Sequence, residues 1–170
     1  MGFSLLHWNA NGLKAHFALF FNYVHSLQTL PDIICIQESF LKPQHKFSFK
    51  GYSIIRKDRT CSPKGGVVTL VRDSLSYAQV ECPDDIESIG VSVSFPEGNI
   101  TVYNVYIAPD ATFELSSLKS LFVERSIVCG DFNAHCYLWG SSINNRRGLD
   151  VEQIITSSNS VFFTNSKRNT

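Results

Sequence analysis

Residues 32–39 read DIICIQES, and within them Ile33 to Gln37 form a continuous apolar run closed by a carboxamide. A short run of this kind suits a strand buried on both faces, which belongs in a sheet covered by helices or by another sheet. Upstream, FSLLHW (3–8) reads as a second short buried strand. NANG (9–12) follows as a tight loop, because Asn and Gly tolerate positive φ. Between the two strands, Phe17, Phe20, Phe21, Val24 and Leu27 recur at helical spacing from Leu13 onward, and Pro31-Asp32 ends that helix.

Downstream the pattern turns to strands, expected at 52–56, 66–72, 76–82, 88–95 and 100–107. The last two flank Glu97-Gly98-Asn99, a hairpin signal. In residues 100–107, Ile100, Val102, Asn104 and Tyr106 share one face, and Thr101, Tyr103, Val105 and Ile107 share the other. A helix around 113–123 follows, then the strand IVCGDF (127–132), a long loop to Gly148, a helix around 149–157 and the strand VFFT (161–164). Leu149, Ile154, Ile155 and Phe162 are expected to be buried. Helices separate strands at both ends and hairpins fill the middle, so the predicted fold is an α/β (α+β) sandwich of mixed β-sheets flanked by helices.

The 170 residues match one ordinary domain. At 44% hydrophobic and 18% charged, the composition can fill a core and excludes a disordered chain or a coiled coil. No apolar run approaches the roughly 20 residues of a membrane span. The N-terminus is broken by His7, Asn9, Asn11 and Lys14, which argues against a signal peptide, and Leu6 stands where myristoylation wants Ser or Thr. The expectation is no membrane partner. Five cysteines without a CxxC read as reduced thiols of an intracellular protein. Cys129, His135 and Cys136 lack a second ligand pair of zinc-finger spacing.

Net charge is zero, but it is unevenly spread. Residues 42–72 hold eight cations against Asp58 alone, a net +7, whereas 73–124 hold nine acids against Lys119 alone, a net −8. A basic stretch can attract a polyanion. The same charges also suit solvated loops and strand edges.

Polar groups gather at the ends of the expected buried strands: His7 to Gly12, Gln37-Glu38-Ser39, Tyr106 with Ala108-Pro109, and Gly130 to His135. Strand ends are where α/β proteins place their sites. Glu38 after IICIQ is costly unless it meets a cation or strong donors, and Asp131 after IVCG repeats the arrangement. Two carboxylates, carboxamides and a phenol make a hard-oxygen set that suits Mg²⁺ or Mn²⁺. Each residue taken alone also has a plain reading, as a turn residue, a cap or a core tyrosine. Trp8 and Trp139 read as packing, and His7, His16, His25 and His45 as structural or exposed.

Taken in order, WNANG (8–12), DIICIQES (32–39), GGVVTLV (65–71), YNVYIAP (103–109) and GDFNAH (130–135) resemble the endonuclease/exonuclease/phosphatase superfamily. That superfamily includes apurinic endonucleases, pancreatic-type deoxyribonuclease and inositol polyphosphate phosphatases. GDFNAHCYLWGS (130–141) followed by NRRGLD (145–150) resembles more narrowly the endonuclease domain of non-LTR, jockey-like retrotransposons, which precedes a reverse transcriptase on one polyprotein.

The resemblance implies a deoxyribonuclease-like fold and a Mg²⁺- or Mn²⁺-dependent endonuclease that nicks target DNA in the nucleus. It implies Glu38 and Asn11 as metal positions, Asp131 as the residue that positions or deprotonates the attacking water, and Asn133 as a phosphate contact. Asn9 would orient the acids, and Tyr106 would stand near the scissile phosphate. Lys42, Lys46, Lys64, Arg146 and Arg147 are the expected DNA-backbone contacts. Two departures stand out. Cys136 replaces a His found in many relatives. The family's further Asp and its Ser-Asp-His run, on two strands after VFFTN, have no counterpart before Thr170. The expectation is a single domain over 1–170 that lacks its last strands and does not cleave DNA by itself. An inactive truncated remnant is therefore the alternative. A phosphatase of the same fold is a further one, against which LWGS and NRRG argue.

Overall fold

Ile33–Gln37 (β2) is a strand with every residue buried, and it organises the first of two sheets. In this computed structural model, which describes residues 2–158 and 160–163, β2 lies parallel to Leu5–Asn9 (β1) and antiparallel to Val67–Arg72 (β4). Tyr52–Lys57 (β3) completes the order β1-β2-β4-β3. The helix Leu13–Ser26 (α1) makes the crossover between the parallel pair, as a parallel connection requires. Gly12, at φ 102, turns the chain into it.

The second sheet runs Tyr77–Val80 (β5), Glu87–Val93 (β6), Ile100–Tyr106 (β7) and Ser126–Asp131 (β8), in sequence order. The β6–β7 hairpin closes with Val93 opposite Ile100. β7 and β8 are parallel, and the short helix Leu115–Lys119 (α2) lies in their connection.

The two sheets face each other over Ile33, Cys35, Val67 and Val71 on one side and Val91, Val93, Val102 and Tyr106 on the other. The far face of the first sheet is covered by α1, where Trp8 stacks on Phe20 with ring centroids 5.1 Å apart. The far face of the second is covered by α2 and by Arg146–Ser157 (α3), through Leu118, Val151 and Ile154. The alternation read along 100–107 is therefore correct on both faces. The sheets are also pinned by polar groups: Gln37 Nε2 donates to Asn104 Oδ1 at 2.5 Å, and Asn104 Nδ2 donates to Val68 O at 2.9 Å.

Four expectations need correction. α2 is shorter than 113–123, and the chain turns at Ser120 with Leu121 still buried. α3 begins at Arg146 rather than 149, because the Asn145 side chain accepts from Gly148 N–H at 2.7 Å and caps it. Residues 161–163 are not in a strand, and Phe163 is 94% exposed; Thr164 lies outside the described residues. Ile154 is buried as expected and Ile155 packs partly against the core, but Leu149 and Phe162 are exposed.

Candidate active site across the two sheets

Both parallel strand pairs end level with each other. Asn9 stands opposite Gln37 at the ends of β1 and β2, and Glu38 comes next. Tyr106 stands opposite Asp131 at the ends of β7 and β8. The sandwich brings these two ends together. Asn9 Nδ2 donates to Glu38 Oε1 at 2.9 Å and to Asp131 Oδ2 at 2.6 Å. The two carboxylate oxygens therefore lie within the sum of these distances, about 5.5 Å. One neutral amide bridges two acids that would otherwise repel, and it supplies the donor that Glu38 needs at the end of a buried strand.

The backbone is shaped to hold this cluster. Asn11, Glu38 and Asn133 adopt φ values of 42, 50 and 47, in the left-handed region that L-residues seldom occupy. Hydrogen bonds hold the loops in place: Ala10 N–H to Gln37 O, Gly12 N–H to Glu38 O and Leu13 N–H to Ser39 O. Gly130 is required on other grounds, since a Cβ there would overlap the Val105 carbonyl. Asn133 N–H donates to Asp131 Oδ1 at 3.0 Å, and Asn133 Nδ2 to Ile107 O at 3.0 Å, so this loop is fixed to β7.

Tyr106 is only 5% exposed, and burial, followed by the charge of Glu38, pushes its pKa up to about 12. Arg59 opposes the rise, while Asp131 and Glu87 add to it. The phenol thus keeps its proton at neutral pH and can act as a donor. Asn11 is exposed beside the cluster, its N–H bound to Asn9 Oδ1 at 3.0 Å.

Among the described residues no three His, Cys, Asp or Glu side chains form a closed metal cage. The donor set is Glu38 with neighbouring carboxamides, open to solvent on one side. That suits Mg²⁺, which keeps several waters and takes one or two carboxylates together with substrate phosphate oxygens.

The expected DNA contacts divide. Lys46, Lys64 and Arg146 are exposed. Lys42 is committed to internal carbonyls, those of Arg59 at 2.6 Å and of Ser62. Arg147 donates to the carbonyls of Phe132, Pro109 and Ala111, which staples the loop after Asp131 to the end of β7.

Three further residues lie near the site that were not among the expected site residues. His7 lies beside Gln37 and Asp131, and burial lowers its pKa against the opposing effects of both. Its Nε2 and Gln37 Oε1 are each buried without a hydrogen-bond partner among the described residues. Arg59 and Glu87 form an ion pair at 2.6 Å against Tyr106. A lone acid opening an alternating strand was the available clue to Glu87.

The comparisons with known proteins agree with this fold. The endonuclease-reverse transcriptase family model matches residues 100–170. A probable RNA-directed DNA polymerase from transposon BS of Drosophila melanogaster is 26% identical over 160 residues, covering 89% of this chain and 17% of the relative. The RNA-directed DNA polymerase from the mobile element jockey of Drosophila funebris is 24% identical over 130 residues, covering 73% of this chain and 14% of the relative. The chain thus spans about one sixth of the length of these relatives. The endonuclease domain of TRAS1, a telomere-specific non-LTR retrotransposon, superposes with a TM-score of 0.73 at 22% identity, over 92% of this chain and 72% of that one. Two mixed sheets with flanking helices are the fold of that domain also. Motifs, fold and relatives converge on one kinship: the chain is similar in sequence to RNA-directed DNA polymerases of mobile elements and in fold to the endonuclease domain of a non-LTR retrotransposon.

Proposed function

We propose that the chain is a divalent-metal-dependent DNA endonuclease domain that hydrolyses a phosphodiester bond and leaves a nick in target DNA for a retroelement. The observation that carries this reading is the Asn9 carboxamide held between Glu38 and Asp131. It keeps two acids close enough to serve one phosphate, and it occupies only one of the two Glu38 oxygens.

Glu38, with Asn11 beside it, would hold Mg²⁺ or Mn²⁺, which supplies Lewis-acid polarisation of a phosphate oxygen when bound. Asp131 accepts a proton from the attacking water or aligns it, and its second oxygen is fixed by Asn133 N–H. The neutral Tyr106 hydroxyl donates to charge developing on the phosphate. Exposed Lys46, Lys64 and Arg146 would meet the DNA backbone. A domain of this kind would meet its substrate in the nucleus and act beside a reverse transcriptase on the same polyprotein.

The test is conversion of supercoiled plasmid to open circles in Mg²⁺. Glu38→Ala is expected to slow it about a hundredfold or more while the circular dichroism spectrum is kept. Near-normal nicking by that variant overturns the assignment. An unmodified protein that binds Mg²⁺ through Glu38 but never nicks is the inactive remnant instead.

A further inference from the structure

We propose that Arg59 and Glu87 are positioning residues that hold the Tyr106 ring and the Glu38 loop in one register, so that the phenol and the carboxylate face the same phosphate. The inference deepens the nuclease reading and rests on it.

Arg59 follows β3, and Glu87 opens β6 directly opposite Tyr106 of β7. Arg59 Nε donates to Glu87 Oε2 at 2.6 Å, and the Arg59 Cζ lies 5.5 Å from the centroid of the Tyr106 ring. A guanidinium at that range is attracted to the ring face. The two side chains are 22% and 11% exposed, so the pair is largely withdrawn from water and keeps a fixed geometry. The other Glu87 oxygen, Oε1, accepts from Gly66 N–H.

Gly65 and Gly66 both sit at φ +88, and a Cβ on Gly65 would come within 2.7 Å of Arg59 Nε. The two glycines therefore let the turn close directly onto the arginine. Their carbonyls in turn accept from Phe40 and Ser39 N–H, both at 2.9 Å, immediately after Glu38. One carboxylate thus ties together the Tyr106 face, the glycine turn and the segment that carries Glu38. A cavity of about 300 Å³ lined by Lys57, Arg59, Asp84, Asp85, Glu87 and Tyr106 leaves the ring free to tilt if the pair is broken. Arg59 is held in the ion pair and is only 22% exposed, so it is not a free surface cation.

The experiment compares Arg59→Gln, Glu87→Gln and Tyr106→Phe, with Arg125→Gln as a control just before β8, where the side chain donates to the Gly98 and Asn99 carbonyls. Glu87→Gln keeps an acceptor for Gly66 N–H but loses the charge that holds Arg59, so the turn survives while the clamp does not. In protein with ¹³C-labelled tyrosine rings, the Tyr106 resonance is identified by its absence from Tyr106→Phe. It is expected to move in both Arg59→Gln and Glu87→Gln and to stay in place in Arg125→Gln. In single-turnover nicking, Arg59→Gln is expected to slow the step about tenfold with unchanged DNA affinity, and to add less than about twofold in the Tyr106→Phe background.

An unmoved Tyr106 resonance in both clamp variants overturns the proposal. So does an equal slowing with and without the tyrosine hydroxyl. Loss of DNA affinity with the ring unmoved would make Arg59 a DNA contact, which overturns it also. If the unmodified protein does not nick, the nuclease reading falls by itself, and the resonance still decides whether the clamp holds Tyr106.

Discussion

His7 couples the strand that carries Asn9 to pH. Burial is the largest influence on it and sets its pKa below 6.5; the neighbouring Gln37 carboxamide and the charge of Asp131 only partly offset this. The unfolded chain takes up a proton just below pH 6.5 that the folded chain refuses. Stability tied to a neutral His7 is therefore complete above that pH and is lost as pH falls through the lowered folded-state value. The urea midpoint should decline as pH falls below about 6.5, and His7→Gln should flatten the decline. An unchanged slope in His7→Gln would assign the effect to other groups. The sequence offered His7 no partner, because its neighbours Gln37 and Asp131 belong to distant segments that only strand register brings alongside.

At the scale of the element, α3 begins where a side chain tells it to. Asn145 Oδ1 accepts from Gly148 N–H and from His135 N–H at 3.0 Å, while its Nδ2 donates to Asn133 O at 3.1 Å. The same residue caps a helix and fixes the loop after Asp131. Asn145→Ala should cost about 1–2 kcal/mol, readable in a urea titration, and should slow nicking as well. Asn145→Asp, which keeps the capping oxygen, should recover most of the stability; an equal loss in both would show that the cap is not the cause. Such a cap was visible as a residue type, but Asn144-Asn145 also reads as a turn, and the helix start was placed late. By contrast, Ile33–Gln37 was read to the residue, because an apolar run bounded by Asp32 and Glu38 admits little else. Asn9, Glu38 and Asp131 could be picked out as candidates because each stands at the end of an apolar run that reads as a strand. Arg59 and Glu87 were not, since an ion pair between residues far apart leaves no pattern along the chain. VFFT was misread because an apolar composition satisfies a strand pattern whether or not a neighbour is there to pair with it.

Across the whole molecule, zero net charge coexists with exposed cations on one stretch. If Lys46, Lys64 and Arg146 meet the DNA backbone, affinity should fall steeply with added salt as counterions are exchanged. Reversing all three charges should weaken binding about equally on any sequence and flatten that salt dependence, as filter binding over a salt series would show. Salt-independent binding, or normal binding by the triple variant, would remove the basic face from the argument. The architecture has one more consequence. The first sheet is drawn wholly from residues before Asp73 and the second wholly from residues after it, so each half of the chain carries half of the site. A nascent chain released halfway bears Glu38 but no Asp131. On the nuclease reading proposed above, neither half alone would hold the Asn9-bridged pair of Glu38 and Asp131. The same division makes the turn Asp73 to Ser76 a natural cut point: two separately silent fragments whose reunion would announce itself as a restored signal.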